Sequence, residues 1–163
     1  MPLGGAAADQ CERAIQKVLS LVTVPDLTFP TRQRQIHDGR KRIDIVYTNA
    51  AASGFFDWLA TNFPAAHIVV ECKNYSGDPA NPELDQIAGR FSPSRGRVGF
   101  LVCRKFENND LFWSRCRDTA YDDRGWIIPL DDADLADLIT AKKSGDSSEV
   151  WRFYKTRFDR LIT

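Results

Sequence analysis

The sequence predicts an α/β fold in which a central mixed β-sheet is flanked by helices on both faces. Three observations predict it. Short apolar runs of strand character alternate along the chain with segments of helical periodicity, the pattern of a sheet covered by crossover helices. Two of those runs, Ile68-Val69-Val70 and Val98-Gly99-Phe100-Leu101-Val102-Cys103, are almost unbroken, as expected for strands covered on both sides. A pair of extended segments around His37-Asp38-Gly39 adds an antiparallel hairpin, so the sheet is mixed.

The first helix is expected over Asp9–Val22, where Cys11, Ala14, Ile15, Val18 and Val22 form one apolar stripe. Asp9 is placed to cap it, with Glu12 three residues on as the capping-box partner, and Pro25 ends it. Residues 1–8 have neither a basic start nor an apolar stretch, and read as a flexible lead-in rather than a signal peptide. Segments 27–35 and 40–47 form the hairpin, and in the second Ile43, Ile45 and Tyr47 alternate with Arg42, Asp44 and Val46. A short helix over Ser53–Asn62 carries Phe55, Phe56, Trp58 and Leu59, and the strand His67–Lys73 follows. Pro82 sits well in a first turn and opens a helix whose stripe is Leu84, Ile87, Ala88 and Phe91. Beyond the strand at 98–103 come a helix over Asn109–Tyr121, a short strand at 126–128 and a helix over Asp131–Lys142. A last helix over 147–163 is expected to start at a Ser147 cap. Its Trp151, Tyr154, Phe158 and Leu161 read as core packing, with a homodimer face as the alternative. A single domain covers residues 1–163.

The chain has 22 basic and 22 acidic side chains. A net charge of zero argues against a non-specific nucleic-acid sponge, but not against an enzyme whose charges are sorted by location. They are sorted along the sequence: residues 31–42 hold Arg32, Arg34, Arg40, Lys41 and Arg42 against Asp38. Residues 122–137 hold Asp122, Asp123, Asp131, Asp132, Asp134 and Asp137 against Arg124. Two solvated faces, or a phosphate-facing side and a distal side, both fit that pattern. Four cysteines without a CxxC pair, and two histidines, offer little to a Cys/His zinc site. Cys72 and Cys103 lie inside apolar runs and read as reduced core residues of a cytoplasmic protein. Apolar runs fall far short of the ~20 residues that span a bilayer, so no membrane association is expected.

The chemistry is expected at residues 71–73. In a strand Glu71 and Lys73 share a face while Cys72 takes the other. An acid and a lysine just beyond Ile68-Val69-Val70 are costly to bury unless paired or bound to a metal. Asp44, between Ile43 and Ile45, poses the same question. Two carboxylates meeting on adjacent strands make an oxygen site suited to Mg²⁺. A lysine beside them can orient or help deprotonate an attacking water and steady charge on phosphorus, which is the equipment of phosphodiester hydrolysis.

Three stretches carry a family resemblance: Arg42-Ile43-Asp44-Ile45-Val46, Val69-Val70-Glu71-Cys72-Lys73-Asn74-Tyr75, and Asp85-Gln86-Ile87-Ala88-Gly89-Arg90-Phe91. Together they resemble the PD-(D/E)xK, or restriction-endonuclease-like, nucleases, nearest to the type IV restriction-endonuclease-like and Holliday-junction-resolvase-like branches, over residues 9–130. The resemblance implies a restriction-endonuclease-like fold with Mg²⁺ or Mn²⁺ on Asp44 and Glu71. It implies that Lys73 assists the nucleophilic water and that Gln86 supports the site from the following helix. In the resolvase-like branch an acid on the first helix completes the metal site, which makes Glu12 a further candidate ligand beside its capping role. Ile43 stands where the family's eponymous proline would be, and the helix over 53–62 lengthens the connection between Asp44 and Glu71.

A lone ExK is a weak pattern. Here it follows a buried apolar run, with an aspartate-bearing hairpin before it and a capped helix after it. Gln86 lies off the Leu84–Phe91 stripe and beside Arg90, so it borders either a cleft or water. His37 reads as a turn residue or phosphate contact rather than a general base. Arg40, Lys41, Arg42 and Arg90, with Arg95 and Arg97, flank the site in sequence as candidate nucleic-acid contacts. The function expected is Mg²⁺-dependent hydrolysis of DNA phosphodiester bonds, serving restriction, phage defence or repair, by a homodimer or as part of a larger multidomain protein. The alternative is a nucleic-acid-binding or scaffolding module that keeps the fold without cleavage. The intact Asp44, Glu71 and Lys73 argue against it.

Overall fold

A computed structural model describes residues 5–74 and 79–163. Their elements follow as α1 (Gly5–Thr23), β1 (Leu27–Ile36), β2 (Lys41–Asn49), α2 (Gly54–Asn62), β3 (His67–Lys73), α3 (Asn81–Ala88), β4 (Val98–Cys103), α4 (Asn109–Tyr121), β5 (Trp126–Leu130), α5 (Asp132–Ser144) and α6 (Ser147–Ile162). The five strands lie in chain order in one sheet. β1–β2 and β2–β3 are antiparallel while β3–β4 and β4–β5 are parallel, so the chain is α/β with a mixed sheet, as its sequence predicts.

Alternation along β4 shows which helices cover which face. Phe100 stacks on Tyr154 of α6 with ring centroids 5.8 Å apart and meets Phe56 of α2 edge-on. Tyr47 of β2, on the same face by register, donates from its hydroxyl to the Gln16 carbonyl of α1 at 3.0 Å. Gly99 points the other way, where a Cβ would lie 3.1 Å from Ile87 of α3 and 2.6 Å from the Val69 carbonyl. The missing side chain is what lets α3 seat closely on that face, the one that Glu71 shares by register with Val69.

Where expectation and structure part, the reasons are physical. The first helix starts at Gly5, so residues 5–8 are helical rather than part of a flexible lead-in; residues 1–4 lie outside the described residues. Ala6, Ala7 and Ala8 are the strongest helix formers. Asp9 is therefore not a cap. Its carboxylate accepts from Arg13 one turn on, at 2.7 Å, and from Arg32 of β1. With the cap gone the capping box goes too, and Glu12 is buried at 4% exposure. At the last helix the cap is Asp146, which accepts from the Ser148 N–H at 2.8 Å, and Ser147 is the first helical residue. β5 runs on to Leu130 through Pro129, which an edge strand tolerates because its outer N–H has no partner to lose.

The hairpin turn is as expected, with left-handed φ at His37 (53°), Asp38 (56°) and Gly39 (81°). The register of β1 against β2 shifts between Thr28 and Thr31. Tyr154, Phe158 and Leu161 are fully buried, and Trp151 meets Phe55 and Trp58 edge-on, so this stripe packs on the core. All four cysteines are free thiols. Among the described residues no helix is long and apolar enough to cross a membrane.

Candidate functional site

β2 and β3 pair antiparallel with Ile45 opposite Val70, so one step outward Asp44 stands opposite Glu71 on the face that α3 covers. There the side chain enters the ladder: the Cys72 N–H donates to Asp44 Oδ2 at 2.9 Å. Glu71 is 1% exposed and Asp44 6%, two carboxylates side by side in the interior. The strand alternation expected for residues 71–73 brings Lys73 onto Glu71, with Nζ donating to Oε1 at 2.9 Å.

Gln86 turns toward Glu71 and Lys73. Leu84 and Ile87 bury against the sheet, and that rotation of α3 turns Gln86 inward. Its Oε1 accepts from Lys73 Nζ at 2.9 Å, and its Nε2 donates a short hydrogen bond to the same Glu71 oxygen that Lys73 holds. Glu71, Lys73 and Gln86 thus form a closed ring of hydrogen bonds. One atom is left over. Among the described residues Glu71 Oε2 is buried with no hydrogen-bond partner.

The electrostatics follow from that arrangement. Burial first, and the neighbouring Asp44 second, push the Glu71 carboxyl above the usual carboxylate range, while Lys73 pulls the other way. A cation placed against Glu71 Oε2 would relieve both pressures. The donors available are hard carboxylate oxygens, which suit Mg²⁺ or Mn²⁺. Mg²⁺ in particular is usually held by one or two carboxylates with water and substrate phosphate completing its shell. Among the described residues no group of three or more acidic, cysteine or histidine side chains is arranged to hold a metal ion.

Glu12 reaches the same end of the sheet from α1, but arginines surround it. Gln33 Nε2 donates to its Oε2 at 3.2 Å, and Arg32 Nη2 lies 3.7 Å from that oxygen. Arg42 Nη2 sits 3.7 Å from Glu12 Oε1 and also 3.7 Å from Asp44 Oδ1. Arg42, expected as a phosphate contact, therefore lies between two carboxylates expected as metal ligands. Arg32 and Gln33, which hold Glu12, were not legible as site residues. A left-handed φ of 51° at Gln33 helps set where they point, and no local pattern announces it.

The remaining basic residues divide. Arg40 is 76% exposed and meets Asp38 at 3.8 Å, and Lys41 reaches the Gly89 carbonyl at 3.4 Å. Arg90 donates from Nε to the Arg42 carbonyl at 2.6 Å, which ties the end of α3 to β2. Arg95 binds the Arg90 carbonyl through Nε at 2.9 Å, and Arg97 pairs with Asp123 at 3.1 Å, so both are spent on the fold. The aspartates of 122–137 are not a bare distal face either: Asp123, Asp132 and Asp134 pair with Arg97, Arg104 and Arg157. His37 is exposed on the turn, and Tyr75, part of the motif text, lies outside the described residues.

No protein-family profile matches this chain, and no curated protein or solved structure is significantly similar to it.

Proposed function

We propose that the chain is a metal-dependent DNA endonuclease with the restriction-endonuclease-like fold of the PD-(D/E)xK nucleases. One observation carries this reading: Asp44, Glu71, Lys73 and Gln86 meet at the end of the β2–β3 pairing, with one buried Glu71 oxygen left open. Asp44 and Glu71 would hold a divalent cation, which would supply Lewis-acid stabilisation of the charge that develops on the phosphate.

The chain's own groups do the rest. The Lys73 ammonium has three donors. Two are held by Glu71 and Gln86, which leaves the third for a water or a phosphate oxygen. Gln86 is a positioning residue, since it aims Lys73 by accepting from it and aims Glu71 by donating to it. Exposed Arg40 and Lys41, at the same end of β2 as Asp44, are placed to hold flanking phosphates. In the reaction the water oxygen bonds to phosphorus as one P–O ester bond breaks. One water proton ends on the departing oxygen, which leaves as a hydroxyl, and the other passes to solvent from the phosphomonoester.

The test is cleavage of plasmid and linear DNA in Mg²⁺ or Mn²⁺. Wild type is expected to cut. Glu71→Ala, Lys73→Ala and Asp44→Ala are expected to fold, by circular dichroism, and to cut about 10³-fold more slowly. Cleavage that survives Glu71→Ala and Lys73→Ala overturns the mechanism. Metal-independent DNA binding with no cleavage by any of the four proteins would instead make the chain a nucleic-acid-binding scaffold.

A further inference from the structure

We propose that Arg42 is the resident counter-ion of the candidate metal site, a guanidinium that the divalent cation must displace. This rests on the metal-dependent reading above and adds to it a competitor that the chain itself carries.

The geometry is specific. A single nitrogen, Arg42 Nη2, stands 3.7 Å from Glu12 Oε1 and 3.7 Å from Asp44 Oδ1. Both acceptors are buried, their side chains 5% and 9% exposed, so each needs a cation beside it. Yet 3.7 Å is longer than the ~2.7–2.9 Å of a charge-assisted hydrogen bond, so no bidentate fork locks the guanidinium in place. The contact is charge attraction, and it can be exchanged.

Two further facts identify Arg42 as the group that leaves. Its side chain is 52% exposed, so its head rotates into water at little desolvation cost, whereas Arg32 on the other side of Glu12 is 17% exposed and also holds Asp9. Glu12 therefore keeps Arg32 and Gln33 when Arg42 departs. The Arg42 backbone meanwhile is fixed, paired with Gln35 of β1 and accepting from Arg90 Nε, so the exchange needs only a side-chain rotation. Two cations at one carboxylate repel, and wild-type affinity for metal is lowered by the work of expelling Arg42.

Direct Mn²⁺ binding to the DNA-free chain tests this, followed by calorimetry or by loss of the free-ion paramagnetic resonance signal. Arg42→Gln is expected to bind Mn²⁺ about tenfold tighter than wild type, a coupling of the size usual between competing ligands. Arg42→Lys retains the charge and is expected to stay near wild type. Arg152→Gln removes the same charge from the exposed side of α6, which packs on the other face of the sheet from Asp44 and Glu71, and is expected to leave affinity unchanged. Equal or weaker binding by Arg42→Gln, or equal tightening by Arg152→Gln, overturns the counter-ion assignment while leaving the metal site standing. A different result strikes the metal site itself and this assignment with it: no Mn²⁺ bound by wild type or Arg42→Gln, or binding indifferent to Glu71→Ala.

Discussion

Two regions of this sheet are built on opposite terms. Around α2 and α6, aromatic rings fill the interior, with centroids from 4.7 Å apart (Phe63–Phe158) to 6.4 Å apart (Phe56–Phe100), and every contact removes apolar surface from water. Around Asp44 and Glu71 the interior holds carboxylates, and three cationic or amide side chains compensate them incompletely. The first region stabilises the fold. The second costs stability, because a buried ion pair regains little more than its desolvation and a leftover carboxylate oxygen regains nothing. On the function proposed above, the unmet lone pair is where the cation would go.

The contrast can be broken first at the aromatic end. Phe158→Ala removes a fully buried ring that touches Phe55, Trp58 and Phe63, and is expected to lower stability by about 3–5 kcal/mol in urea unfolding. At temperatures where the variant is still folded its Mn²⁺ affinity should equal that of wild type. A matching loss of affinity would mean that the two regions are one cooperative unit.

Tyr154 gives a smaller effect of the opposite sign. Its ring stacks on Phe55 and Phe100, but among the described residues its buried hydroxyl has no hydrogen-bond partner. Burial pushes that phenol far above its ordinary pKa. Tyr154→Phe keeps the ring and deletes the stranded hydroxyl, and is expected to stabilise by about 1 kcal/mol, at the low end of the cost of an unmade buried hydrogen bond. Destabilisation on denaturant unfolding would refute the claim that this aromatic cluster carries one polar flaw.

The smallest expected effect is a pH slope at the carboxylate end. Glu71 holds its proton more tightly in the folded chain than in the unfolded one. Its contribution is therefore fully present below the ordinary carboxylate range and is lost as pH rises through the raised native value. In metal-free buffer, wild type should lose stability relative to Glu71→Gln as pH climbs from acid toward neutral. Parallel curves for the two proteins would show that Glu71 is not strained by burial.

Much of the fold was legible because it rests on local periodicity. The apolar runs of β3 and β4, the Asp38-Gly39 turn and the stripe of α6 appear where hydrophobic pattern and turn chemistry place them. α3 instead ends at Ala88, burying Leu84 and Ile87 and leaving Phe91 of the expected stripe beyond it. The chemistry within one strand was legible too: Glu71 and Lys73 meet because residues two apart share a face. Gln86 was half legible. The helical wheel put it off the buried stripe, and only the seating of α3 on Gly99 turned it toward Lys73 and Glu71.

The misreadings have a common form. Asp9 and Glu12 carry the local signature of a capping box, yet Asp9 is claimed by Arg32, 23 residues away, and Glu12 by Gln33 and Arg42. Arg97 looked like a phosphate contact and the aspartates of 122–137 like one block of like charge, yet Asp123 pairs with Arg97, Asp132 with Arg104 and Asp134 with Arg157.

By itself, then, the sequence determined the α/β class, most element positions and the pairing of Glu71 with Lys73, since each depends on spacing within a few residues. Tertiary structure alone decided that Asp44 meets Glu71 across two strands, that Gln86 turns inward, and that Arg42 stands between Glu12 and Asp44. Apart from Arg42 and Asp44, two residues apart on β2, those contacts join groups distant along the chain, and burial of the carboxylates strips away the water that would otherwise screen their charge.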